Sequence, residues 1–73
     1  MESTTFAKGI IPDGYFGDTS NVTFAFNHET GKTICQHDYG SFTYHIPPAV
    51  DVEEALWLLK YHPLSEAKNI SRL

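Results

Sequence analysis

Pro47-Pro48-Ala49-Val50-Asp51-Val52-Glu53-Glu54-Ala55-Leu56-Trp57-Leu58-Leu59-Lys60-Tyr61-His62 is the densest apolar stretch of the chain, and it reads as the one long helix. Asp51 stands at the N-cap, where its carboxylate can accept from free backbone N–H groups of the first turn. Glu54, three residues on, completes a pattern like a capping box, and Val50 with Ala55 would form a small hydrophobic staple. Glu53 and Glu54 lie where the helix dipole favours negative charge, and Lys60 lies near the opposite end. Pro63 biases His62 away from helical angles. The pattern therefore predicts a helix over about 51–62.

The faces of this helix differ. Val52, Ala55, Leu56 and Leu59 follow the i, i+3, i+4, i+7 spacing of a core stripe. Trp57 and Tyr61 are one turn apart on the other side, with Leu58 beside them. A helix apolar nearly all round is either covered twice or lends its second side to a partner. Cover from the chain termini and presentation to a partner are both open at this level.

Ahead of the helix, apolar residues alternate. Residues 3–11 read as a strand interrupted by Gly9. Pro12-Asp13-Gly14 is a turn, followed by Tyr15 and Phe16 and a polar loop over 17–21. Residues 22–28, 32–37 and 41–46 read as three further strands. They are joined by Glu29-Thr30-Gly31 and Asp38-Tyr39-Gly40, each a three-residue hairpin loop ending in glycine. These loops pair Phe26 with Ile34 and Cys35 with Thr43. One face then collects Val22, Phe24, Phe26, Ile34, Gln36, Phe42, Tyr44 and Ile46; the other collects Thr23, Ala25, Asn27, Thr33, Cys35, His37, Ser41, Thr43 and His45. The helix is expected across the aromatic face. Beyond Pro63, Leu64, Ala67 and Ile70 suggest a short C-terminal helix. The fold class is α+β: an antiparallel meander of three to five strands with one main helix packed on one face.

Seventy-three residues fit a single domain, 1–73, with a small core. One cysteine leaves no internal disulfide. Together with an N-terminus lacking an apolar leader, this reads as a reducing, cytoplasmic setting. No stretch approaches the ~20 apolar residues of a membrane span. Five basic residues against nine acidic ones give a net charge of −4, with the basic residues scattered. Direct nucleic-acid binding needs clustered positive charge, so it is disfavoured.

Cys35, His37 and His45 share the open face of the expected sheet. They are the weak candidate set for a metal such as zinc or for a small ligand, although no metal-ligand spacing such as C-x-x-C supports it. A Cys35–His nucleophile pair on a flat sheet would lack a cleft to exclude water. No enzyme and no cofactor is expected. The aromatic surplus over core needs, Tyr15, Phe16, Tyr39, Trp57 and Tyr61, points instead to a protein-binding surface, since such residues lead interfaces. Trp57, Tyr61, Leu58, Tyr15 and Phe16 are the expected contact residues. A homodimer through the Trp57 face is a further alternative. In size, acidity and style the chain is similar to small phage or mobile-element proteins that block a larger host machine, anti-CRISPR proteins among them. That similarity rests on no specific residue, and it implies an inhibitor or regulator of a protein target.

Overall fold

The computed structural model describes residues 2–14 and 16–73. The strands are β1 (Ser3–Pro12), β2 (Thr19–Asn27), β3 (Thr33–His37), β4 (Gly40–Thr43) and β5 (Lys68–Arg72), and the helix is α1 (Val52–Tyr61). They build one antiparallel sheet in the order β4-β3-β2-β1-β5. The first four strands form the meander, and β5 returns after the helix to the free side of β1. The fold is α+β with one helix on one sheet face, as the alternation predicted.

The helix begins where its caps dictate. Asp51 is extended, and its carboxylate accepts from the Glu54 N–H at 2.9 Å. Glu54 reaches back to the Val50 N–H at 3.1 Å rather than to the cap residue itself. Such a cap is worth about 1 kcal/mol. The expected staple is absent: Val50 is 83% exposed and Ala55 is fully buried. At the other end the His62 N–H bonds to the Leu58 carbonyl, and the chain turns extended before Pro63.

Both hairpin registers differ from the expected ones by a single residue. Phe26 pairs with Thr33 and Phe24 with Cys35, not Phe26 with Ile34. The cause is Asn27. Its side-chain oxygen accepts from the N–H groups of Glu29 and Thr30, so the turn opens one residue early and spans 28–31. Gly31 closes it at φ 76°, and a side chain there would collide with the backbone carbonyl of Ala49. The second hairpin is one residue shorter than expected. His37 pairs with Gly40, Cys35 with Phe42 and Ile34 with Thr43, leaving residues 38–39 as the loop. The two slips cancel between β2 and β4, so Phe24 and Phe42 still share a face. Only β3 is inverted. Thr33 and Cys35 enter the core, and Ile34 and Gln36 move to the open face.

The expected C-terminal helix is instead β5. A ten-residue β1 with one open side leaves a row of unpaired backbone groups, and the tail satisfies them. Asn69 adopts φ 55° where two residues of β5 face Gly9 alone, forming a bulge. Gly9, read as a weakness of the strand, is what lets Ile70 lie across β1: a β-carbon there would sit 2.5 Å from the Ile70 Cδ1. A second bulge, at Phe6, turns Phe6 and Ala7 both into buried positions.

The core lies between α1 and the sheet. Ala55, Leu58 and Leu59 are the helix's buried residues, with Val52 and Leu56 half-buried beside them. They meet Phe24, Phe26, Tyr44 and Ile46. Tyr44 packs edge-on against Phe24, and its hydroxyl accepts from the N–H groups of Glu66 and Ala67, pinning the segment that leads into β5. The Thr33 hydroxyl is buried, with no hydrogen-bond partner among the described residues. An unsatisfied buried hydroxyl costs about 1–3 kcal/mol.

Thr33→Val keeps the shape and removes that penalty, so it should raise the unfolding free energy by about 1–2 kcal/mol, measured by urea denaturation. In the register expected from the loops, Thr33 would face solvent and the change would be near neutral.

Candidate functional site

Cys35, His37 and His45 do not converge. The inversion of β3 places Cys35 in the core, fully buried, where burial pushes its thiol up to about 11. His37 follows it onto the same face but lies at the strand end. His45 is beyond β4, exposed, with Nε2 on the Leu64 carbonyl and its ring against Tyr44. Among the described residues no group of three or more His, Cys, Asp or Glu side chains is placed to hold a metal ion. The weak metal set from sequence thus falls apart on geometry, because it presupposed β3 in the opposite orientation.

His37 has another partner. Its Nδ1 accepts from the Tyr39 N–H at 3.2 Å, which leaves the proton on Nε2, facing Asp13 Oδ2 at 3.2 Å. Asp13 also accepts from the Ser20 hydroxyl at 2.5 Å. The Ser20 hydrogen bond, followed by the His37 contact, holds the Asp13 carboxyl below the usual carboxylate range. These are the residue types of a hydrolytic triad wired in the wrong order. The carboxylate sits between hydroxyl and imidazole, so the imidazole cannot take the hydroxyl proton. The cluster ties the β1–β2 connection to the β3–β4 turn. With the His37 side chain only 11% exposed, it reads as a structural clamp.

The open face of the sheet is polar. Gln36 Oε1 accepts from Thr5 and Thr23 hydroxyls across three strands. Lys8, Asn21, Gln36 and Asn69 border a wide, shallow hollow. Sequence reasoning missed this network because it placed Gln36 on the helix side.

The exposed aromatics are elsewhere. Trp57 is 58% and Tyr61 65% exposed, on the face of α1 turned from the sheet, with ring centroids 5.6 Å apart. Among the described residues neither terminal segment covers them; Ser3–Pro12 and Lys68–Arg72 are engaged in β1 and β5. Leu64 is exposed just past the helix end. Leu58, expected beside Trp57 in the contact set, is instead buried in the core, since the inward stripe is centred on Ala55 and Leu59. Phe16, at φ 62°, and Tyr39 are exposed at the far tip of the sheet. Tyr15, expected as an anchor there, lies outside the described residues. Glu53 and Arg72 form an exposed ion pair beside the helix N-terminus, a contact type worth little.

Comparison with protein-family models, with curated proteins and with solved structures found no significant match. Among the described residues no helix is long and apolar enough to cross a membrane.

Two outcomes follow from these geometries. Cys35 should resist a thiol-modifying disulfide reagent in the folded protein at pH 8 and react fully once urea unfolds it, as read by absorbance. Asp13, lowered in the folded state, adds stability that is in place above its unfolded pKa of ~3.9 and is lost as pH falls through the lower folded value. The melting-temperature advantage of wild type over Asp13→Asn should therefore shrink between pH 6 and pH 2.

Proposed function

We propose that the protein is a non-enzymatic binding module that engages a protein partner through the outer face of α1. The observation that carries this reading is the pair Trp57 and Tyr61, one turn apart and more than half exposed on a helix whose other face is already buried. A helix held by Ala55, Leu58 and Leu59 does not need a largely exposed indole for its packing on the sheet. Exposed Trp and Tyr are the side chains that most often dominate binding energy.

The chemistry of the partner follows from the rim. Asp51, Glu53 and Glu54 are exposed at the start of the same helix, Lys60 is its only cation, and the chain carries −4 overall. The fitting surface is an apolar pocket for Trp57 and Tyr61 bordered by basic residues, a complementarity that speeds association at low salt. A partner of this kind would be inhibited or regulated by occlusion, since the module brings no convergent catalytic set among its described residues. That agrees with small proteins that block a larger machine, a likeness of size and style only.

The test is affinity capture from the native host, comparing wild type with Trp57→Ala/Tyr61→Ala. A single protein retained by wild type should bind at least ~30-fold more weakly to the double variant, the loss expected of a hot spot near 2 kcal/mol, while the circular dichroism melt stays nearly unchanged. Equal retention of that protein by both chains would overturn the reading.

A further inference from the structure

The tip of the sheet carries an open hollow of about 380 Å³. The strand pairings place it on the helix side. Ala7, Gly9 and Ile11 alternate onto the face of Phe24, and Phe42 lies in line with Cys35 and Phe24. Ile11 and Phe42 therefore flank the same face, with β2 and β3 between them. None of the lining residues described belongs to α1, and toward the tip the hollow is bounded by Asp13, His37 and Tyr39.

Its walls combine apolar and aromatic surface. Ile11, Pro12 and Phe42 supply the apolar part. Phe42 is 46% exposed although Phe24 and Cys35 in its row are fully buried. The Tyr39 ring is stacked on that of His37, centroids 5.1 Å apart and planes 29° from parallel. One face of the phenol is thus supported, and at 91% exposure the other is bare.

The charge is one-sided. Among the described residues that line the hollow, Asp13 carries the only carboxylate, and none is a lysine or arginine. His37 does not offset it. Its Nδ1 accepts from the Tyr39 N–H, so it meets Asp13 through Nε2–H as a neutral imidazole. Ser20 and His37 both donate to Oδ2 of Asp13, while Oδ1 has no hydrogen-bond partner among the described residues. One oxygen anchors the group, and the other keeps its acceptor capacity on a side chain that is 43% exposed.

We propose that this hollow receives an arginine side chain of a partner protein or peptide, its guanidinium held by the Asp13 carboxylate and the bare face of Tyr39. The chemistry selects that residue. A cation over an aromatic face is drawn by the ring quadrupole. A guanidinium is planar, stacks on aromatic rings, offers several N–H donors and is weakly hydrated, whereas an ammonium is a compact and strongly hydrated charge. The apolar wall suits the methylene stem of the same side chain. An anion would be repelled by Asp13, and a purely apolar group would strip water from the carboxylate without replacing it. The hollow shares no residue with the Trp57–Tyr61 face, so either reading can fail without the other.

The experiment is a titration of the full chain with N-acetyl-arginine amide at low salt, followed by backbone amide chemical shifts in NMR. N-acetyl-lysine amide and the uncharged N-acetyl-norleucine amide are run beside it. The arginine probe should saturate with a Kd of roughly 1–10 mM and move the amides of Asp13, His37, Tyr39 and Phe42. The lysine probe should bind at least about threefold more weakly, and the norleucine probe should not saturate. Asp13→Asn should weaken the arginine probe about tenfold or more. Tyr39→Ser, which leaves Asp13, Ser20 and His37 in place and keeps the backbone N–H that His37 accepts, should weaken it about threefold. Shifts that stay linear to 100 mM would overturn the proposal. So would equal saturation by norleucine or lysine, or an arginine affinity that Tyr39→Ser leaves unchanged.

Discussion

The side-chain amide of Asn27 decides which face β3 shows to the helix. By accepting from two backbone N–H groups in the turn, it starts the hairpin one residue early, and every side chain of a five-residue strand changes sides. Thr33 and Cys35 go into the core, and Gln36 goes out to bridge Thr5 and Thr23. His37 is turned toward Asp13. The same turn is tied to the helix start, because Gly31 donates no side chain and its carbonyl accepts from the Ala49 N–H. One polar side chain thus sets the composition of the core, the chemistry of the open face and the entry of α1.

The core that results is small, and among the described residues it carries one unpaired hydroxyl, at Thr33. Its pinning is done by Tyr44, whose ring is packed in the core while its hydroxyl holds the segment before β5. Such a domain has little stability to spare, since a chain of this length buries only about 60% of its unfolded surface. Against that background the exposure of Trp57, Tyr61 and Phe42 is costly in buried area forgone. The helix pair stays open on an element whose opposite side is already buried, while Phe16 and Tyr39 leave further aromatic surface open at the sheet tip.

The Cys35, His37 and His45 set that stood out in the sequence is not brought together by the fold. Cys35 lies fully buried in the core, and a cluster of Ser20, Asp13 and His37 fastens two turns at the sheet tip. The cluster joins residues far apart in the chain through strand pairing alone. It carries no motif spacing, so nothing in the order of residues announced it.

By itself the sequence determined the elements that rest on local rules: the Asp51-capped helix, the four meander strands, and the parity of Val22, Phe24, Phe26, Phe42 and Tyr44. Alternation and capping act between residues a few positions apart, and they are legible wherever they occur. The relation of β2 to β4 survived as well, because two opposite loop errors cancelled. Tertiary structure decided the rest. Turn length at Asn27 depended on a side chain competing for backbone donors, a choice that composition does not rank. The fate of the tail depended on β1 having an open edge, so Ile70 joined a strand over Gly9 despite helical spacing. Which side of the helix stayed bare depended on where the sheet lay beneath it, and that relation exists only once both are folded.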